Sequence, residues 1–457
     1  MSALPLITAH GLDSVLAWRP EGPVRVGEFV AEVQALAQRL PAGAYVLNLC
    51  EDRYHFAVGF AAGLLAGKVS LQPSSQSPDT LARLAHDYPG LVCLTDRAAA
   101  GALSEAEAAW PTLRLPLEHA APLVAATSIP EVAADATAVM LFTSGSVGVP
   151  QPHPKSWGKL VQNGRVEAQA LGLTGRPHHI VGTVPVQHSY GFESTLLLAL
   201  HGGCTFWSGK PFYPQDVVEA LAAVPSPRLL VSTPYHLSAL QEAGLPWPPV
   251  DMLLSATAAL SVELAERMEQ LLQAPLFEIY GSTESSALAS RRTTAGAPWQ
   301  LLPGVQLEQE GEHTFASGGH VQERVRLSDF IELLSDGRFL LQGRHADLVN
   351  IAGKRTSLAY LNHQILRVPG VQDAAFFLPD DASPEGVTRL AAFVVAPGQT
   401  RAPLLAALRQ YLDPVFLPRP LLLLPALPRN STGKLPRQAL QALYQELYQE
   451  GALHAQR

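Results

Sequence analysis

The sequence predicts an α/β protein with a large layered α/β N-terminal domain, residues 1–344, and a small α+β C-terminal domain, residues 345–457. Three observations carry this. Helical patterns alternate with short apolar runs along most of the chain, as a layered α/β domain requires. Many of those runs end in polar residues or glycine, which is where open parallel sheets bind ligands. The texture then changes near Gly343, and so does the charge. Residues 345–457 carry 11 Lys+Arg against 8 Asp+Glu, and the remainder carries 21 against 32. At 457 residues the chain also exceeds what one core supports.

The elements follow in order. "VGEFVAEVQALAQRL" repeats apolar residues at helical spacing, and "AYVLNLC" is a short strand. "HFAVGFAAGLLAG" reads as a small-residue helix packed on a sheet, and "GLVCLTD" as the next strand. "HHIVGTVPV", "LLVST", "DMLLSA" and "LFEIYGSTE" continue the series. In the last quarter "DLVNIAGKR", "AAFFLPDD" and "RLAAFVVAPG" read as strands, with "LAYLNHQIL" and "APLLAALRQYL" as helices. The segment "QGRHADL" joins the two parts, and "LYQELYQEGALHAQR" reads as a fraying terminal helix.

Composition narrows the function classes. An apolar content of 47% with 16% charged residues is that of a globular chain. A net charge of −8 gives no reason to expect nucleic acid. Cys50, Cys93 and Cys204 are far apart and lack metal spacing, so they read as small buried hydrophobes of a reducing compartment. The start "MSALPLITAHGLD" has no basic segment followed by an apolar one, and the apolar run Phe56–Gly67 is shorter than the roughly 20 residues a spanning helix needs. A cytoplasmic protein without a membrane span is expected.

The stretch "LFTSGSVGVPQPHPKSW" has the composition of a phosphate cradle, with glycines that let backbone N–H groups approach an anion and hydroxyls that donate further. It lacks the spacing of a P-loop, and alone it reads equally well as a strand-to-helix turn. Four later segments follow it in sequence: "EIYGSTESS", "LSDF", "QGRHADLVNIAGKR" and "LPRNSTGKLPR". Together the five resemble the ordered motifs of the acyl-adenylate-forming superfamily, which includes acyl-CoA synthetases and aryl-acid ligases. The resemblance covers nearly the whole chain.

The resemblance implies a role for each matching residue. Thr143, Ser144, Gly145, Ser146 and Gly148 would bind the ATP phosphates. Lys155 could supply the charge of the lysine that members usually carry where this chain has Gln151. Tyr280 and Gly281 would lie beside the adenine, Thr283 would contact the α-phosphate, and Glu284 would hold Mg²⁺. A carboxylate beside a triphosphate requires such a cation. Asp329 would take the ribose hydroxyls, with Arg344 near the ribose or hinge. Lys434 would be the catalytic lysine, its compact ammonium bridging the acid and the nucleotide. His188 would stand beside the acyl pocket, with Tyr190, Phe192 and Ser194 on one wall and Ser255, Ala256 and Thr257 on the other; a buried structural histidine is the alternative for His188. A C-terminal domain rotating about a hinge at Ala346 would bring Gly353 and Arg355 to a thiol acceptor.

The implied activity is two half-reactions: a carboxylate displaces pyrophosphate from Mg·ATP, and a thiol then displaces AMP. The implied substrates are a small aromatic, hydroxybenzoate-like acid, ATP with Mg²⁺, and either CoA or the phosphopantetheine of an acyl carrier protein. Short members with "AGKR-[ST]-SLA", as here in "AGKRTSLA", are linked to aryl-polyene pigment pathways. Two other readings are a non-catalytic or adenylation-only partner-binding protein, and a luciferase-like oxygenase. Departures from the family pattern are Gln151, Ala346, and Tyr360 in the helix after "AGKR".

Overall fold

The computed structural model describes residues 2–73, 76–97, 110–118, 123–144, 150–344, 348–351, 354–379, 390–430 and 435–454. It forms two compact units, residues 1–308 with 315–325, and residues 309–314 with 326–457.

Two sheets organise the first unit. One has six strands in the order Pro150–Ser156, Thr137–Ser144, Val69–Gln72, Tyr45–Asn48, Leu91–Thr95 and Thr112–Arg114. All its neighbours are parallel except the first pair, which is an antiparallel hairpin. The other sheet has nine strands, with a parallel centre made of Leu276–Ser282, Met252–Ser255, Arg228–Ser232, His179–Gly182, Thr205–Trp207 and Val15–Arg19. Val181, Leu230, Leu253 and Leu276 from these strands pack against Val217, Leu237 and Met268 from covering helices. Strands covered in this way read as continuous apolar runs, which is why the sequence reveals them. Helix Arg53–Leu65, which holds most of the apolar run Phe56–Gly67, is buried on nearly every face. Its uniform hydrophobicity reflects that burial. Among the described residues no helix is long and apolar enough to cross a membrane.

Strand Pro150–Ser156 departs from expectation, because its three prolines read as loop residues. They fall at alternate positions, 150, 152 and 154, of an edge strand. Period-two geometry points all three missing N–H groups toward the open edge, while the intervening residues donate to the ladder. The same parity puts Gln151, His153 and Lys155 on one face, running from exposed to buried.

The second unit holds the hairpin Asp329–Leu333/Phe339–Arg344, the hairpin Leu348–Ile351/Lys354–Ser357, and a sheet of Asp373–Phe377, Ala391–Val395 and Leu421–Leu423. Helices Leu358–Leu366 and Arg401–Leu408 bury Leu361, Ile365, Leu404 and Leu408 against that sheet, and helix Arg437–His454 packs Leu440 beside Phe377 and Phe393. Helix Leu358–Leu366 also packs on strand Phe339–Arg344, so this compact unit begins earlier than residue 345. Cys50, Cys93 and Cys204 are buried free thiols.

Candidate active site

The carboxyl ends of strands Thr137–Ser144 and Leu276–Ser282, one from each large sheet, meet in a group of polar side chains. Thr143 Oγ1 lies 3.0 Å from His153 Nε2, and His153 Nε2 lies 3.9 Å from Glu284 Oε1. Lys155, 1% exposed, donates from Nζ to the Glu284 carbonyl at 2.5 Å. The Lys155 ammonium, expected to supply charge to the phosphates, is engaged here by a backbone carbonyl. It is committed to the backbone below the turn, and Glu193, Glu284 and Glu323 partly offset the burial that lowers its pKa. His153, by contrast, bridges the loop strand and the carboxylate. Burial holds its pKa below the usual range, with Glu284 pulling it up and Lys155 pushing it down.

The turn that presents Glu284 is tightly built. Ser282 and Ser285 exchange hydrogen bonds across it, and Ser286 leaves it at φ 62°. A Cβ on Gly281 would stand 2.3 Å from the Ser286 carbonyl oxygen, so glycine is required there by the turn itself. Tyr280 packs its ring on Trp299 at 5.8 Å. Glu278, two residues earlier, is a structural carboxylate that accepts from Arg291 and Thr293.

The wall beside this turn starts at His188, whose N–H donates to the Pro185 carbonyl and whose carbonyl accepts from Phe192. Ser189 Oγ lies 3.4 Å from Thr283 Oγ1, joining the two motifs. A π-helix, Phe192–Leu197, then turns the chain. Phe192 is a correction to the expected lining. Its ring is fully buried edge-on against Phe60 at 5.1 Å, in the core. Ser194 is also buried, and donates to Glu167 Oε1 at 2.5 Å. Tyr190 lies beside the Ser232 backbone, and burial raises its phenol pKa well above the ordinary value. Ser255 ends its strand with a buried hydroxyl that has no partner among the described residues; Thr257 Oγ1 is likewise unpartnered, at φ 80°. Three non-glycine residues among those described adopt positive φ. Gln273 caps a helix, and Ser286 and Thr257 flank this site. Strain of this kind concentrates where the surroundings hold a functional geometry.

Four residues outside the sequence motifs support the site. Arg53, 1% exposed, donates to the carbonyls of Gly182, Val184 and Gly209, tying the first sheet's helix to the loop that leads to His188. Glu193 accepts from the Ala287 N–H, linking the π-helix to the strand after Glu284. Asn163 and Glu167, four residues apart on helix Trp157–Ala170, bring polar groups into its buried stripe. That interruption is the signal that could have revealed them.

In the second unit, Asp329 and Arg344 are directly opposed across their hairpin. Arg355 lies in strand Lys354–Ser357, opposite Asn350. Gly145, Ser146, Gly148, Ala346, Gly353 and Lys434 lie outside the described residues. A cavity of about 940 Å³ lined by His10, Arg165, His179, His201 and Thr205 opens where strands His179–Gly182 and Thr205–Trp207 begin, the end of the sheet opposite to the site.

Residues 28–311 match the AMP-binding enzyme family. The chain belongs to that family. Among AMP-binding enzymes it is 29% identical over 275 residues to the 4-coumarate–CoA ligase of Rhodobacter capsulatus, covering 60% of this chain and 67% of that one. It is 26% identical over 350 residues to a 4-chlorobenzoate–CoA ligase of an Arthrobacter species, covering 66% and 65%. The fold matches ATP-bound MatB from Rhodopseudomonas palustris with a TM-score of 0.79 at 19% identity, over 95% of this chain and 97% of that one. It also matches the o-succinylbenzoate CoA synthetase MenE from Bacillus subtilis, in complex with ATP and magnesium, with a TM-score of 0.77 at 19% identity over 93% and 96%.

The site suits a hard divalent cation. Among the described residues no three His, Cys, Asp or Glu side chains form a metal cluster, while Glu284 presents one half-exposed carboxylate beside the loop strand. Magnesium is commonly held in this manner, by one or two carboxylates with substrate phosphates and water.

Proposed function

We propose that this AMP-binding enzyme is an ATP-dependent acid–CoA ligase acting on a small aromatic acid. The observation that carries the reading is the grouping of Thr143, His153 and Glu284 over buried Lys155 at two strand ends. The aryl-CoA ligases among its relatives favour an aromatic acid and CoA; a carrier-protein thiol as acceptor is the alternative.

Each residue has a task in this reaction. Thr143 and the following glycine loop hold the β- and γ-phosphates by hydroxyl and backbone donors. Glu284 would hold Mg²⁺, which supplies charge neutralisation between the two anions that must meet. Lys155 fixes the carbonyl of Glu284 and so the height of its carboxylate. Ser189 and Thr283 bring the acid-binding wall to the α-phosphate side, with His188 beside the carboxylate. Asp329 and Arg344, paired across their hairpin, would take the ribose. Lys434 would bridge the attacking carboxylate and the nucleotide in the first step. Gly353 and Arg355 would serve the thiol in the second, after rotation about Ala346. Positioning and charge stabilisation account for such catalysis without a protein nucleophile.

The test separates the steps. Lys434→Ala is expected to abolish acid-dependent ATP–pyrophosphate exchange while sparing thioester formation from supplied acyl-adenylate. Equal loss of both steps would contradict the assignment of Lys434 to the first alone.

A further inference from the structure

We infer that Glu167, held by Ser194, closes the far end of the acid pocket and selects acids carrying a hydroxyl or amino substituent remote from the reacting carboxylate. The inference rests on the reading of this site as an acid-activating pocket.

Glu167 is 0% exposed, in the middle of helix Trp157–Ala170. Its Oε1 accepts from Ser194 Oγ, and its buried Oε2 has no partner among the described residues. Leaving a carboxyl oxygen buried without a partner is costly, and a purely structural role would be served better by apolar side chains. The neighbouring buried carboxylate, Glu193, makes the contrast. Its Oε2 accepts from the Ala287 N–H, and although its Oε1 also lacks a hydrogen-bond partner among the described residues, the Lys155 ammonium lies near enough to offset its charge, whereas among the described residues no such cation acts on Glu167.

Position favours a ligand for the spare oxygen. Ser194 continues the segment that begins with His188 and Ser189, and Tyr190 on the same segment lies within electrostatic reach of Glu167. Ser189 adjoins Thr283, on the α-phosphate side, and Ser194 lies five residues further along the helical segment. Five residues are a little more than one helical turn, so the two side chains are separated along the segment by roughly 5–7 Å, the span of one substituted aromatic ring. Burial raises the Glu167 carboxyl pKa to about 8, so near neutral pH it is largely protonated. A hydroxyl or amino group can both donate and accept, and so pairs with either form. A methyl group in its place leaves Oε2 unpaired, and a site built to hydrogen-bond discriminates strongly against such an isostere.

The experiment measures kcat/KM in ATP–pyrophosphate exchange with 4-hydroxybenzoate, 4-aminobenzoate and 4-methylbenzoate. The wild type is expected to favour the first two over the third by roughly tenfold or more. Glu167→Leu should reverse that order while retaining exchange with 4-methylbenzoate. If Glu167→Leu does not fold, the double variant Glu167→Leu/Ser194→Ala, which removes both polar groups together, carries the same comparison. A wild-type preference for the methyl acid, or a ratio unchanged in the variants, overturns the inference and leaves the ligase reading standing. Exchange with none of these acids but with others overturns it in the same way, and exchange with no acid at all removes the ligase reading as well.

Discussion

Lys155 has carried a charge into the interior because three carboxylates and one carbonyl surround it. Removing it leaves the Glu284 carbonyl without its donor and Glu193 without its cation. Lys155→Met is therefore expected to lower thermal stability and to reduce exchange activity by about 10²-fold, since small displacements of a positioned group have effects of that size. Steady-state exchange rates alongside a melting curve check this; unchanged activity would show that the turn does not need its support. Gln151 is the converse case, exposed on the same strand face. Gln151→Lys is expected to lower the KM for ATP without changing the melting temperature, and an unchanged KM would show that a charge there is of no use to this loop. The motif carrying these residues was legible in the sequence. The burial of Lys155 was not, because the sequence gives no sign that a lysine beside three prolines lies on the inward end of a strand.

At the scale of elements, Arg53 determines how one sheet meets the other. Its guanidinium is fully desolvated, which lowers its pKa to about 10, and it donates to three carbonyls around the approach to His188. Arg53→Met strands those carbonyls, and an expected loss of about 3–5 kcal/mol follows from breaking a buried charged network. Chemical denaturation measures it; a loss below about 1 kcal/mol would mean that other contacts hold the junction. The strands at this junction were readable as apolar runs, since both faces of a parallel strand are covered. Two elements were not readable. The Pro150–Ser156 strand has loop composition, and only the alternation of its prolines reveals an edge. The π-helix Phe192–Leu197 widens the turn so that Phe192 enters the core against Phe60, whereas a motif fixes residue order but not the face each side chain takes.

For the molecule as a whole, buried titratable groups set the pH range of stability. Glu167 has a folded-state pKa of about 8 against 4.5 for the free side chain, so the folded state binds the extra proton between these values and stability falls as pH rises through that window. The slope approaches roughly 1.4 kcal/mol per pH unit where one proton separates the states. Glu167→Gln is expected to flatten this alkaline limb in melting temperatures recorded from pH 5 to 9, and an unaltered limb would show that the carboxyl is ionised at neutral pH. On the acid side, burial lowers the His201 pKa to about 3 and that of His320 to about 4, so the unfolded chain takes up protons first and stability falls below about pH 6.5. The sequence changes texture near Gly343, whereas the second compact unit runs from residue 326. Its inclusion of residues 309–314 depends on long-range packing that local composition does not encode.

The central claim is that Glu284, on its turn above Lys155, serves the activation of an acid by ATP. The most direct measurement is acid-dependent ATP–pyrophosphate exchange in the wild type and in Glu284→Gln, across a panel of small aromatic acids. The account predicts exchange with at least one acid in the wild type, and at least a hundredfold loss in Glu284→Gln with an unchanged melting temperature. Exchange at full rate in Glu284→Gln, or none with any acid in the wild type, would contradict it.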